Sequence, residues 1–256
     1  MNYWLFQGNP DTFDVDSYIA ANAEISWTIG QAHLAPEMEI GDEVYLWRAS
    51  GVKRGDAGIV AAGTITSKPV VRPDEIAAPY WKHGDASKPR LRVGLEIIRR
   101  NLGAKQIVKR KWLLDDPVLS GLRILKLASE TNYRISANEA QRLSLLVRNT
   151  GRDWNRDECV AALWAFKETE GQPVSKLANS PIANIAITIG RAVGGVYNKV
   201  MNLRSIDPRD ERAGLPATNE KNFVDEDIRL SLRSATRPML ISCAATVTGH
   251  ALLTFR

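Results

Sequence analysis

Two cysteines, three histidines and no apolar run of membrane length set the first limits on this 256-residue chain. Cys159 and Cys243 lie far apart and fit neither a disulfide framework nor a zinc site. His33, His83 and His250 have no cysteine or carboxylate at metal-ligand spacing, and neither H-E-x-x-H nor C-x-x-C occurs. G-x-S-x-G, the phosphate-binding loop and G-x-G-x-x-G are missing too. The glycine-rich GRAVGG at 190–195 lacks the lysine a phosphate loop needs and follows a helical stretch. The acid pairs Asp115–Asp116 and Glu37–Glu39 read as solvent-facing charges. Hydrolytic and redox chemistry therefore have no visible seat, no cofactor or metal is expected, and the chain reads as a binding protein. A membrane helix needs roughly 20 apolar residues, and MNYWLFQGNPD lacks the basic-then-apolar pattern of a secretory signal. The expected compartment is the cytoplasm.

What is present is a globular composition: 44% hydrophobic and 25% charged residues, at a length suited to one large domain or two ordinary ones. Residues 1 to 148 read mostly as strands. MNYWLF ends at the turn cluster Gly8-Asn9-Pro10. IGDEVYLWRAS alternates, with Val44 and Leu46 on one face and Tyr45 and Trp47 on the other. GIVAAGTITSKPV should stop at Pro69. PRLRVGLEII points Leu91, Val93, Leu95 and Ile97 inward and Arg90, Arg92 and Glu96 outward. Several such strands suggest a small barrel. The region closes on a helix with Ser136 as N-cap, Glu139 at N3, and Leu143 and Val147 on its apolar stripe.

The chain changes character after Asn149-Thr150-Gly151. A helix capped by Asn155, with Glu158 at N3, should carry a stripe of Val160, Leu163, Trp164 and Lys167 and end before Gly171. A second starts at Ser180-Pro181 and stops at Gly190. A third turns Val196, Val200 and Leu203 inward and ends at Pro208. The fold class is α+β: a β-rich region at 1–148, a small helical module of helix-turn-helix type at 152–208, and a loop with a poorly defined tail at 209–256.

Charge and aromatics carry the functional signal. Ten Lys or Arg residues fall between Lys82 and Lys111, opposed only by Asp85 and Glu96. This is either a solvated basic face or a polyanion footprint in which phosphates displace counterions. Four of the seven tryptophans (Trp4, Trp27, Trp47 and Trp81) lie in the first 81 residues. Each can be ordinary core filling. Trp27 differs in having hydroxyls on both sides, Ser26 and Thr28. An aromatic plane beside hydrogen-bonding groups is what holding a nucleobase out of its helix requires.

The ordered motifs YWLFQGNP, ISWTIGQ, EIGDEVYLWRASG, AGIVAAGTI and RLRVGLEII resemble the EVE domain, a PUA-like barrel related to the YTH readers of methylated adenine in RNA. The resemblance covers about residues 1 to 148. It implies an aromatic cage for a base, and several EVE domains are implicated in sensing modified cytosine in DNA. Trp27 then matches the cage wall, Ser26 and Thr28 the polar residues beside it, and Asn9 the turn residue at the base edge. Trp81 or Tyr80, in APYWKHG, would supply the second aromatic, and Trp47 and Arg48 could line the same mouth. Gln7 stands near the position of a lysine in YTH readers.

The stretches DWNRDECVAALWAFKETEGQPVSKL and IGRAVGGVYNKVMNLRSIDP resemble the helical module that accompanies HNH nucleases in modification-dependent restriction proteins. The polar residues left over on the last helix, Arg191, Asn198, Lys199, Asn202 and Arg204, suit groove or phosphate contact or form a solvated face. Nothing after Asp207 supplies the His-Asn-His set of an HNH site. The resulting expectation is a reader of a modified base, modified cytosine in double-stranded DNA, within a restriction or defence system. Its phosphates would be held by Arg48, Lys82, Arg90, Arg92, Arg99 and Arg100 together with the 191–204 helix. An endonuclease that is truncated or depends on a separate nuclease subunit is the second reading, and RNA or modified-nucleotide binding the third. Homodimer formation is left open.

Overall fold

The structure, a computed structural model, describes residues 1–52, 57–83, 88–170 and 172–206. Two units are separable among the described residues: 1–114 with 118–151, and 115–117 with those between 152 and 206. Gly151, at the junction, has φ +79°, a left-handed conformation that glycine adopts without strain.

The first unit is one mixed sheet. Its strands are β1 (Tyr3–Gly8), β2 (Glu24–Thr28), β3 (Glu43–Arg48), β4 (Gly58–Arg72), β5 (Arg90–Arg100), β6 (Val108–Lys109) and β7 (Asn132–Ile135). They pair in the order β2-β5-β4-β3-β1-β7, with β6 added to β4. Only β1 and β3 run parallel. The alternation read in β3 has two buried faces. Val44 and Leu46 join Trp4, Phe6, Trp27 and Val93 in the main core. Tyr45 is buried on the other side, its hydroxyl donating to the Ala140 carbonyl of α4 (Ala137–Asn149) at 2.9 Å. The helices α1 (Val15–Ala21), α2 (Arg110–Leu114) and α3 (Arg123–Lys126) complete the unit. The Ser136–Glu139 capping box expected at the start of α4 is present.

Three expectations are corrected here. Strand β4 does not stop at Pro69 but continues to Arg72. The register shifts between Ser67 and Val70, so Lys68 and Pro69 form a bulge where the missing N–H does no harm. Second, the expected barrel is not closed by a backbone ladder: no pairing joins β2 to β7 among the described residues. Side chains bridge that gap instead. Gln31 Oε1 accepts from the N–H groups of Thr131 and Asn132, and Asn132 accepts from Gly30 N and donates to the Thr28 carbonyl. Third, Arg92 on β5 does not face outward; it is buried.

The second unit contains α5 (Arg156–Glu168), α6 (Pro181–Thr188) and α7 (Val193–Ile206). The Asn155–Glu158 capping box, the Ser180 cap and the left-handed Gly190 stand where the sequence puts them. The buried face of α5 is rotated from the expected stripe. Cys159, Ala162, Leu163 and Phe166 are inward, whereas Val160, Trp164 and Lys167 are half-buried. The reason is tertiary, since Ile182, Ala183, Ala186, Val193, Val196, Val200 and Leu203 of the neighbouring helices cover that other face. Residues 209–256, with Cys243 and His250, lie outside the described residues, as do Gly171, Asp207 and Pro208. No helix among the described residues is long and apolar enough to cross a membrane.

Candidate functional site

A cavity of about 210 Å³ opens in the first unit where the ends of β1, β2 and β5 meet the segments at 9–13 and 74–81. Ser26, Trp27 and Thr28 line it from β2, Gln7 and Gly8 from β1, and Arg90 and Arg92 from β5. Asn9, Thr12, Phe13, Asp74, Ala77, Trp81 and Thr131 complete the wall. Trp27 is both core and wall: it packs among Val15, Ile25 and Val93 and still borders the cavity. A Cβ on Gly8 would lie 3.2 Å from its ring, so glycine there lets the indole pack against β1.

The polar side of the cavity is organised by a buried ion pair. Arg92 Nη1 donates to Asp74 Oδ2 at 3.2 Å, with only 2% and 3% of the two side chains exposed, and also to Thr28 Oγ1 at 3.1 Å. Asp74 Oδ1 accepts from the Ala77 backbone N–H, which ties the 74–81 segment to the pair. Burial pushes the Arg92 guanidinium below its ordinary pKa, and Asp74 opposes that shift.

Five buried polar atoms of the lining have no protein partner: Gln7 Oε1, Ser26 Oγ, Trp81 Nε1, and Nε and Nη2 of Arg92. Buried polar groups are nearly always hydrogen-bonded, so such a concentration marks a place where a ligand or water supplies the bonds. A wider cleft of about 380 Å³, bordered by β3, β4, β5 and α4, includes none of these atoms. Of these two, the smaller cavity is the better candidate because it pairs aromatic walls with unsatisfied polar groups.

The three candidates for a second aromatic wall are separated by the structure. Trp81 lines the cavity, its ring 5.0 Å from that of Phe13 and 5.6 Å from the Arg90 guanidinium. Tyr80 lies outside the lining and packs against Tyr18, the rings tilted with centroids 5.1 Å apart. Trp47 is buried on β3 outside the lining. Asn9 borders the cavity while its Oδ1 accepts from the Asp11 N–H, which shapes the turn.

The cations do not form one patch. Arg90 and Lys82 are exposed near the cavity, with Lys82 Nζ donating to the Pro10 carbonyl. Arg99 and Arg100 lie about 30 Å away along β5, at roughly 3.3 Å per residue, and Arg100 donates to the carbonyls of Ile19 and Asn22. Arg48 is paired with Asp16. In the second unit, Asn198 is exposed and Asn202 half-buried, but the three cations turn inward. Arg191 donates to both Glu158 oxygens and to the carbonyls of Arg152 and Asp153. Lys199 lies 5.2 Å from the Trp154 ring, and Arg204 donates to the carbonyls of Thr169 and Gln172. Arg92, Arg191, Lys199 and Arg204, expected at phosphates, thus serve the interior. Helical spacing showed which apolar residues face inward, but it carries no sign of a buried arginine meeting an acid from another element.

Asp74, Phe13 and Thr131 stand in no motif that marks them in the sequence, and Gln7 is marked there only by the lysine it replaces. Asp74 had a faint signal, an acid in the loop just before Trp81.

The EVE domain profile matches residues 2–144. Among solved structures, a hypothetical protein from Leishmania major is 16% identical, with a TM-score of 0.41, covering 56% of this chain and 92% of its own. Rpa0253 from Rhodopseudomonas palustris is 21% identical, with a TM-score of 0.39, covering 55% and 89%. Human THYN1 protein, solved in complex with DNA containing 5-methylcytosine, is 14% identical, with a TM-score of 0.40, covering 56% and 95%. No curated protein matches.

Proposed function

This chain belongs to the EVE domain family, and on that premise we propose that it reads a modified base in double-stranded DNA, modified cytosine, by taking it out of the stack into the cavity lined by Trp27 and Trp81. The carrying observation is the set of five unpartnered polar atoms around an aromatic-walled cavity. A flipped base loses its stacking and pairing, a loss of a few kcal/mol. Stacking on an aromatic side chain returns about 1–3 kcal/mol, and hydrogen bonds to the unpartnered atoms return more. Arg90 and Lys82 are the exposed cations placed to meet the flanking phosphates.

The helical unit fits the same reading as a connecting module, with DNA cleavage left to a nuclease acting with it in defence against foreign DNA. Its buried arginines hold that unit together and take no part in base reading.

The test is binding to matched duplexes that carry either cytosine or 5-methylcytosine, the base in the THYN1 complex. Wild type, Trp27→Ala and Trp81→Ala are compared. Trp81 is half-buried at the edge of the core whereas Trp27 lies within it, so Trp81→Ala disturbs the packing less than Trp27→Ala. Wild type should prefer the methylated duplex, and both variants should lose that preference while keeping salt-sensitive binding. Equal affinity of wild type for the two duplexes sinks the reading. RNA of the same sequence as competitor separates DNA from RNA preference, and incubation with Mg²⁺ or Mn²⁺ tests for cleavage, which should not occur.

A further inference from the structure

Arg92 was expected at the phosphate backbone, and its geometry suits a different ligand. Nη1 is occupied by Asp74 and Thr28. The unpartnered atoms are Nε and Nη2, the edge of the guanidinium that carries two parallel N–H donors. Both atoms are buried, on a residue that lines the cavity. Because Asp74 already balances the charge of Arg92, the pair is formally neutral. A phosphate entering beside it would be buried next to the Asp74 carboxylate, with Arg90 at the exposed end of the lining as its nearest other cation, which is unfavourable. A neutral heterocycle with two adjacent acceptors carries no such penalty.

Among the bases, cytosine offers O2 and N3 side by side, followed by the N4 amine as donor. Thymine and uracil place an N–H between two carbonyls, so a two-donor fork meets only one acceptor. Guanine has an acceptor pair at O6 and N7, but its neighbouring donor N1–H lies on the other edge of the ring and diverges from the pair, so the three groups are not side by side as they are in cytosine. The cavity also holds an unpartnered acceptor, Gln7 Oε1, whose orientation is set because Gln7 Nε2 donates to the Ala128 carbonyl at 2.9 Å. Two donors and one acceptor match the O2, N3 and N4 groups of cytosine, all of which a substituent at C5 leaves intact.

We propose that Arg92, oriented by Asp74 and Thr28, together with Gln7, reads the pairing edge of the base and makes the site select cytosine-type bases over thymine and uracil. This rests on the base-reader function proposed above. It assigns Arg92 a specificity role through direct contact with the base.

The experiment measures affinity for duplexes in which one target base stands opposite an abasic site, so that no pair has to break. The target is 5-methylcytosine or thymine, which share the methyl group and differ only at N3 and the 4-substituent. Wild type should bind the 5-methylcytosine duplex about ten-fold or more tightly than the thymine duplex, the discrimination expected of a bidentate contact. Arg92→Lys keeps a cation for Asp74 but removes the fork, and it should bring the ratio below about three-fold. Gln7→Leu, which leaves the ion pair untouched, should lower the ratio as well and carries the test if Arg92→Lys does not fold. A wild-type ratio near one, with binding still sensitive to Trp81→Ala, overturns the assignment and leaves the base-reader function standing. An unchanged ratio in both folded variants overturns the assignment too, as does competition by inorganic phosphate at constant ionic strength. Absence of any Trp81-dependent binding overturns both this inference and the function it rests on.

Discussion

Arg92 and Asp74 meet across 3.2 Å with almost none of either side chain exposed, joining the sheet to the segment that carries Trp81. The pair therefore holds the cavity's shape as well as its polarity. Removing one partner of a buried pair leaves the other charged and dry, which destabilises by about 3–5 kcal/mol, whereas replacing both with apolar residues is often neutral. Asp74→Ala should accordingly lower the denaturant midpoint of the first unit sharply. The double variant Arg92→Met with Asp74→Leu should regain most of that loss in the same unfolding measurement while failing to discriminate 5-methylcytosine from thymine. A double variant as unstable as the single one would show that the pair's hydrogen bonds, and not its charge balance, dominate.

The two groups of cations should separate in a salt titration. Each phosphate neutralised contributes about 0.9 to the slope of log affinity against log salt for duplex DNA. Arg90→Ala and Lys82→Ala should each reduce the slope by about one. Arg191→Ala should leave the slope unchanged while lowering the melting temperature of the second unit, because Glu158 loses its buried partner. A slope change in Arg191→Ala equal to that in Arg90→Ala would return the helical unit to the DNA interface.

Alkaline pH offers a third measurement. Burial is the largest cause raising the phenol pKa of Tyr18, Tyr45 and Tyr133 above its ordinary value near 10. For Tyr18, hydrogen bonding to the Ser26 backbone opposes the rise; for Tyr45, Glu43 adds to it. The fold favours the neutral phenols, so their contribution is complete below pH 10 and is lost as pH rises from 10 through the folded-state values. Equilibrium denaturation between pH 8 and 11 should show flat stability followed by a decline above 10. Tyr45→Phe should start about 1 kcal/mol lower, having lost its bond to the Ala140 carbonyl, and decline less steeply. Stability that stays level to pH 11 in wild type would contradict this account.

Local chemistry made much of the fold legible. Capping boxes at Ser136 and Asn155 and the Ser180-Pro181 start depend on residues three or four apart, and all stand as the sequence indicates. Alternation showed β3 and β5, and Trp27 between two hydroxyl residues pointed to a segment that does border the cavity. The stripe of α5 was misplaced because apolar residues occur on more than one of its faces, and the packing of α6 and α7 chooses among them.

By itself, the sequence determined the element types, the caps, the family and Trp27 as a residue of interest, since these follow from neighbours along the chain. Tertiary structure alone decided that Trp81 and not Tyr80 or Trp47 shares the cavity with Trp27, and that Arg92 faces Asp74 instead of solvent. It also decided that Arg191 belongs to Glu158. Each of these is a meeting of residues 18 or more positions apart, and a charged side chain reads the same in sequence whether it ends in water or against a buried partner.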